Sequence, residues 1–478
     1  MSVPKEKEQL ARTLGLWSTI ALVIGGVIGS GIFLKPSLMA AQLGSPTLLL
    51  LVWVLAGVIT LFGALSNAEV AAMMPETGGQ YVFFKKMYGD FVAFLYGWSA
   101  FIVINTAGVA SIAYVAGTYA EYYISLPRFS REIEQAIYLY IPGIGRIFPL
   151  ENIGVKSFTI GIILILTFIN YRSTKAGAGL QVLFTLIKVA SIALLIIGIF
   201  TIGKGSTANY INTAAAAPEG WGLILAIVAA LSGAFWGYDG WNNITFVAGE
   251  IKNPQQNIAK SLLIGLLSCI VIYALIIMSY LFVIDISAMA HTSFVASEAA
   301  QLAMGGLGGV LIALLVIFSG IGSTNANIMA TARVSFAMAQ EKRFFSWTAN
   351  IHPVFKTPAN ALALHATWTC LLVLSGSFDM LTDMLIFVSW FFYGLSAFGV
   401  FVLRRKMPDT YRPYKVWGYP FVPATFVIIT FFFLILTLTN DVTNYLTGRA
   451  PIINSLFGLL LVVLGTPLYF YFKKKENP

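Results

Sequence analysis

The chain has 478 residues, of which 58% are hydrophobic and 10% charged, with a formal net charge of +9 and a mean hydropathy of +0.82. A soluble globular chain is roughly 45–50% apolar and about 25% charged, so the composition excludes the string of soluble domains that the length alone would permit. Two cysteines, Cys269 and Cys370, each inside an apolar run, exclude a disulfide framework and a cysteine metal site.

Apolar runs of about 20 residues recur from end to end, each long enough for a membrane helix. In chain order the predicted spans are Leu16–Leu34, Thr47–Met74, Phe91–Ile124, Phe158–Tyr171, Ala178–Ile202 and Trp221–Glu250. They continue with Ser261–Ile284, Leu307–Ala339, Ala359–Leu374, Met380–Leu403, Val422–Thr439 and Asn454–Phe472. Backbone groups in hydrocarbon must be paired internally, so each span reads as a helix. The expected fold class is all-α integral membrane with twelve transmembrane helices. Spans longer than the bilayer needs must tilt or project beyond it. The first ten residues are polar, and the apolar run after them is too long for a signal peptide, so no cleaved leader is expected. Ser125–Lys156 is the longest connection; its run Arg131-Glu132-Ile133-Glu134 predicts a short surface helix.

The basic residues sort by side. With twelve alternating spans and a cytoplasmic N-terminus, seven of the 29 Lys and Arg fall outside: Lys35, Arg128, Arg131, Arg146, Lys156, Lys204 and Arg449. Lys188 lies inside a span, and all the others fall in the cytoplasm, among them Lys5, Lys7, Lys175 and the group Arg404, Arg405 and Lys406. That asymmetry is the positive-inside bias. It makes both termini cytoplasmic, in a cell (plasma) membrane, and accounts for the net charge through the lipid bilayer, with no nucleic acid partner.

Two spans carry glycine-rich interruptions. The first reads Gly25-Gly26-Val27-Ile28-Gly29-Ser30-Gly31-Ile32-Phe33, and the sixth reads Ser232-Gly233-Ala234-Phe235-Trp236-Gly237-Tyr238-Asp239-Gly240-Trp241-Asn242. Glycine costs about 1 kcal/mol against alanine in a helix interior, so such clusters at midspan need a reason. One is close helix packing, for which Gly25 and Gly29 supply a GxxxG pair. The other is a pair of broken helices. Spans one and six correspond if residues 16–202 and 221–403 are two five-helix halves, and paired breaks point to an inverted-repeat transporter with a central site. Helices over 422–472 fall outside the repeat, and residues 1–15 and 473–478 are cytoplasmic tails.

Gly29-Ser30-Gly31-Ile32-Phe33 resembles the signature of the amino acid–polyamine–organocation superfamily. Further stretches agree in order: Pro75-Glu76-Thr77-Gly78-Gly79-Gln80-Tyr81, then Phe246-Val247-Ala248-Gly249-Glu250 with Lys252-Asn253-Pro254. Arg404-Arg405-Lys406, Arg412-Pro413 and Gly418-Tyr419-Pro420 follow the tenth span. Together they look like the L-amino acid transporter branch, including its bacterial serine/threonine and alanine/serine/cysteine exchangers. The resemblance implies a LeuT-type fold of 5+5 inverted repeats with broken first and sixth helices. Animal members of the branch bind a single-span glycoprotein through a cysteine between spans three and four. Ser125–Lys156 has none, so no disulfide-linked heavy chain is expected.

A zwitterion needs two opposite fields at one place, N–H groups of a helix start for the carboxylate and carbonyls of a helix end for the ammonium. The resemblance implies that the N–H groups of Ser30, Gly31 and Ile32 serve the carboxylate, with Gly29 beside them in the substrate site. It implies that carbonyls near Ile24 and Val27, with those of Phe235 and Tyr238, face the ammonium. It also makes Trp236 an aromatic gate over the substrate. Asp239 is an acid near midspan, a position usually functional; it could bind a cationic side chain, relay a proton, or orient Trp241 and Asn242. Asn242 stands where arginine/agmatine antiporters carry a glutamate, which argues against an acid-resistance antiporter.

Lys188 lies about 15 Å into its helix at 1.5 Å per residue, too deep to snorkel comfortably. Relatives with small neutral substrates have a lysine there, and the resemblance implies that its ammonium replaces a cation between the first and eighth spans. The partners would be carbonyls around Val23–Gly26 and the hydroxyls of Ser319 and Ser323. The expectation is a sodium-independent exchanger of small neutral L-amino acids working by alternating access, without cofactor or metal. A proton-coupled symporter, or an exchanger that also accepts cationic amino acids, remains the alternative. His291, His352 and His365 are not spaced as metal ligands and no acids cluster with them, so no enzyme is expected. No filter-like loop or charged ring suggests a channel.

Overall fold

The computed structural model describes residues 12–75, 79–202, 205–214 and 217–476. Lys5 and Lys7, the Glu76-Thr77-Gly78 part of the second motif, Lys204 and most of the N-terminal tail lie outside them.

The first apolar run folds as two helices, α1 (Leu16–Val27) and α2 (Gly31–Leu43), bent by 44°. It therefore runs nine residues beyond the expected Leu34, because the polar Lys35, Ser37 and Gln42 lie on a helix continuing to Leu43. Gly44, in left-handed geometry, stops it with its N–H on Ala40. Ser45 then caps α3 (Pro46–Met73), which has proline at its first position, where the missing N–H costs nothing.

The short α4 (Gln80–Tyr88) leads into α5 (Asp90–Ser99), a π-helical turn (Ala100–Asn105) and α6 (Thr106–Ala120). The expected surface helix is α7 (Arg131–Ala136), followed by the hairpin β1 (Leu139–Ile141) and β2 (Gly145–Ile147). Next come α8 (Ile153–Arg172), α9 (Thr174–Ile202) and α10 (Gly220–Tyr238). The sixth run does not stay α-helical to its end: after Tyr238 it continues as a 3₁₀ turn over Trp241–Glu250.

The remaining helices are α11 (Pro254–Val283), α12 (Ile286–Met289), α13 (Val295–Met304), α14 (Gly306–Gln340) and α15 (Ala359–Ser375). They are followed by α16 (Phe378–Lys406), α17 (Phe421–Leu446), α18 (Asn454–Val463) and α19 (Gly465–Glu476). Ser377 caps α16, Asp379 sits in its first turn and Arg404, Arg405 and Lys406 in its last, the arrangement that complements the helix dipole.

Among the described residues ten helical stretches are long and apolar enough to cross a membrane, eleven when α1 and α2 count as one broken span. Ala359–Ser375 is apolar but shorter, at 17 residues. The outer faces are apolar too, with Leu186, Ile197, Phe431 and Phe432 exposed, as a lipid-facing surface requires. Inside, α3 packs along α11, α6 along α14 and α2 along α10. At one end of the bundle the buried Glu69 of α3 accepts from Arg404 at 2.9 and 2.7 Å and from the Val416 N–H at 2.8 Å. Arg412 lies 3.4 Å away. This cluster ties α3, α16 and the segment before α17 together.

Candidate functional site

The two breaks meet in the middle of the bundle. α1 ends at Val27, with the Ile28 N–H bonded to the Ile24 carbonyl, and the chain leaves helical geometry at Ile28 (ψ 95°) before α2 begins at Gly31. α10 ends at Tyr238; Asp239 is extended and Gly240 sits at φ 99°, which glycine adopts freely. A Cβ on Gly240 would lie 2.5 Å from the Gly26 carbonyl oxygen, and one on Gly31 would lie 3.0 Å from both Gly237 Cα and the Trp236 ring. Backbone-to-backbone contact between the breaks therefore explains these glycines.

Tyrosines satisfy the carbonyls that the broken helices free. Tyr273 of α11 donates its hydroxyl to the carbonyls of Val27, 2.9 Å, and Gly237, 2.8 Å. Its single proton bridges the ends of α1 and α10. Pro36 removes the N–H that would bond Ile32 in α2, and the Tyr280 hydroxyl approaches that carbonyl at 3.4 Å. Tyr119 donates to the next carbonyl, Phe33, at 2.7 Å.

Between the breaks lies a cavity of about 90 Å³, lined by Gly26, Val27, Gly29, Ser30, Gly31, Trp236, Gly237, Asp239, Gly240, Asn242 and Asn243. Its other wall is Tyr96, Ile104, Asn105, Gly108, Ile112, Phe246, Asn327, Leu385 and Tyr393. That is several times the roughly 10–15 Å³ that a single water requires, so the cavity admits a small polar molecule. The first N–H groups of a helix have no intrahelical partner, and those of α2 begin at Gly31. Beside them the buried Ser30 hydroxyl has no partner among the described residues. This corner suits an anion; the carbonyl-rich ends of α1 and α10 suit a cation.

Of the residues expected at the site, the cavity gathers Val27, Gly29, Ser30, Gly31, Trp236, Asp239 and Asn242. Ile24, Ile32, Phe235 and Tyr238 stand behind it. The Phe235 ring stacks on Trp390 at 3.6 Å, and Tyr238 packs edge-on to Tyr273 at 5.0 Å. Asn242 accepts from the Asn67 amide at 2.8 Å, and Ser396 donates to Asn67 at 2.8 Å, a buried chain joining the sixth-run break to α3 and α16. The Asp239 carboxylate accepts from the Tyr393 hydroxyl at 2.7 Å.

Trp236 closes one end. It is buried and meets the Phe378 ring edge-on at 5.1 Å. Behind Phe378, the Lys35 ammonium lies 4.7 Å from that ring. Lys35 donates to Asp379 and to Thr382, each at 2.8 Å. One turn on, Asp383 accepts from Ser232 at 3.1 Å. At the other end Asn243 is exposed, so the cavity is reached from the side of the 3₁₀ turn.

Lys188 is buried on α9, with its Nζ 3.4 Å from the Gly25 carbonyl. Ser319 and Ser323, on the α14 face against which α9 packs, keep buried hydroxyls without a partner among the described residues. Lys35, Asp379, Tyr273 and the wall residues Tyr96, Asn105, Asn327 and Tyr393 were not anticipated. The asparagines could have been, as carboxamides inside apolar runs; Tyr273 has no such mark.

A family model described as amino acid permease matches residues 14–463. The chain is 31% identical to the serine/threonine exchanger SteT of Bacillus subtilis over 98% of this chain and 99% of that protein. It is 28% identical to the human cystine/glutamate transporter, over 98% of this chain and 86% of that one. It is also 28% identical to the human b(0,+)-type amino acid transporter 1, over 97% and 88%.

Proposed function

The chain belongs to the amino acid permease family, and from that premise we propose that it is a sodium-independent exchanger of small neutral L-amino acids. The observation that carries this reading is the cavity between the two helix breaks. It offers helix-start N–H groups and the Ser30 hydroxyl to a carboxylate, helix-end carbonyls to an ammonium, and only about 90 Å³ of space. So small a space favours small side chains, such as those of serine and threonine. The relatives named as exchanger and transporters support exchange of amino acids as the activity.

Alternating access follows from two halves folded about the site. The tight pairings of α3 with α11, α6 with α14 and α2 with α10 join the second span to the seventh, the third to the eighth and the first to the sixth. Such pairing of corresponding spans supports a twelve-helix, LeuT-type inverted repeat. With both termini cytoplasmic, the closed end at Trp236, Phe378 and Lys35 faces outward and the open end faces the cytoplasm. This is the inward-facing state of a cell-membrane carrier, working with no heavy chain and no cofactor. Lys188 replaces a coupling cation. Among the described residues its ammonium has one long contact, at 3.4 Å, and Ser319 and Ser323 on α14, which packs against α9, have hydroxyls without a partner. The closed half of the cycle would bring these groups together.

The test is counterflow. Proteoliposomes loaded with serine or alanine should take up labelled serine equally in sodium and choline buffers, and empty liposomes should take up little. Strict dependence on sodium, or uptake indifferent to internal amino acid, overturns the reading.

A further inference from the structure

The third membrane run is not a uniform helix. Between α5 and α6 it widens into the π turn Ala100–Asn105. Such turns leave carbonyls without their usual donors and often lie at functional sites. Here the Thr106 hydroxyl donates to the Phe101 carbonyl at 2.7 Å and the Trp368 indole N–H to the Ile102 carbonyl at 2.7 Å. The donor from α15 is a side chain reaching across 266 residues of sequence to brace one turn. Immediately after the braced carbonyls, Ile104 and Asn105 both line the cavity.

The Asn105 side chain is half-buried, and among the described residues it has no hydrogen-bonding partner. Asn327, on α14, lines the same cavity and uses its amide N–H on the Ser323 carbonyl at 2.9 Å. Its oxygen remains an acceptor. The Asp239 carboxylate and Tyr393 hydroxyl are engaged with each other. The groups left to a ligand on this wall therefore include the whole Asn105 carboxamide and the oxygen and second N–H of Asn327, on helices other than α2, whose start suits a carboxylate.

We propose that Asn105, presented by the π turn, is a specificity residue that reads the substrate side chain. It selects an uncharged hydrogen-bonding group, a hydroxyl or a carboxamide, over an apolar group of equal size. A carboxamide carries both donors and an acceptor. A hydroxyl can use both kinds at once; a methyl group leaves the amide unpaired, and discrimination is strongest when a polar site group loses its partner. Trp368 is a positioning residue, acting through the Ile102 carbonyl. The inference rests on the amino acid exchanger reading and deepens it by naming the side-chain class.

Threonine and valine are the probes, being nearly isosteric. Competition against labelled serine counterflow gives the ratio of their inhibition constants. The parent should favour threonine by about tenfold or more, as one or two neutral hydrogen bonds would give. Asn105→Leu keeps the volume and removes the amide, and should bring the ratio close to one. Trp368→Phe keeps the ring and removes the N–H; it should lower the ratio by about threefold although it lies outside the cavity. A merely structural tryptophan would lower transport of both amino acids alike and leave the ratio in place. If Asn105→Leu is not monodisperse, Asn105→Gln and Trp368→Phe carry the test, and a parental ratio in both overturns the inference. A parent that exchanges amino acids but treats threonine and valine alike also overturns it. A parent that exchanges none would instead defeat the broader reading.

Discussion

In the proposed orientation, opening toward the outside parts α2 from α16, which the Lys35–Asp379 pair joins behind Trp236. The pair is lopsided: Lys35 is 1% exposed and Asp379 47% exposed. That asymmetry separates the two single substitutions. Lys35→Met removes the buried charge itself and leaves an acid that water can solvate. Its effect is the net worth of a partly exposed pair, about 1 kcal/mol, or about fivefold in the outward-open population. Asp379→Asn leaves the buried ammonium with Thr382 and the nearby Asp383. Breaking a fully buried pair costs roughly 3–5 kcal/mol, and with those neighbours remaining we expect about 2 kcal/mol, or about 30-fold. The reporter is a cysteine at Leu385, which lines the cavity on the inner side of the tryptophan, labelled from outside by an impermeant maleimide. A background lacking Cys370 removes competing reaction, since Cys269 is buried. Labelling should accelerate in both variants, more in Asp379→Asn, and return toward the parent in Lys35→Asp/Asp379→Lys. Equal labelling in parent and both single variants would refute the reasoning, and so would a larger effect from Lys35→Met.

Three further outcomes follow from the site. Lys188→Ala should be expressed and monodisperse, because it removes a buried charge that costs several kcal/mol to insert. It should nonetheless transport poorly, with unequal effects on the two membrane faces in oriented liposomes; parental kinetics on both faces would return Lys188 to a tolerated snorkelling residue. Trp236→Ala removes the ring over Gly31 and against Phe378 but leaves the backbone groups, so counterflow should fall by more than equilibrium binding measured calorimetrically. Equal losses would make the tryptophan a binding wall. Arginine and lysine should compete weakly with serine, because the Asp239 carboxylate is held by the Tyr393 hydroxyl. Strong competition that disappears in Asp239→Asn would assign the acid to a cationic side chain.

Hydropathy made the apolar runs legible because hydrocarbon imposes a length on every span, and the glycine clusters marked both breaks because close backbone approach admits nothing larger. The end of the first run was misjudged for a related reason. Lys35 read as the polar edge of a span, whereas it is a buried partner of an acid 344 residues away. Local composition does not distinguish a lysine facing water from one facing an aspartate on another helix. The π turn left no mark either. Phe101, Ile102, Val103 and Ile104 are ordinary apolar residues, and one of the donors that meet the turn's carbonyls comes from distant α15.

The same distinction orders the site itself. Its backbone half, the breaks at Gly29–Ser30 and Asp239–Gly240, is written locally, because each break requires its own glycines. Its side-chain half is assembled from distant runs: Tyr273 bridges two helix ends, Asn67 and Ser396 hold Asn242, and Trp368 braces the turn that carries Asn105. A substrate's carboxylate and ammonium are the same in every amino acid, so the locally written half can serve any of them. Side chains differ, and the groups free to tell them apart come from the long-range half. Changes in specificity should therefore map to residues such as Asn105, Asn327 and Trp368, and loss of all transport to the glycines at the two breaks.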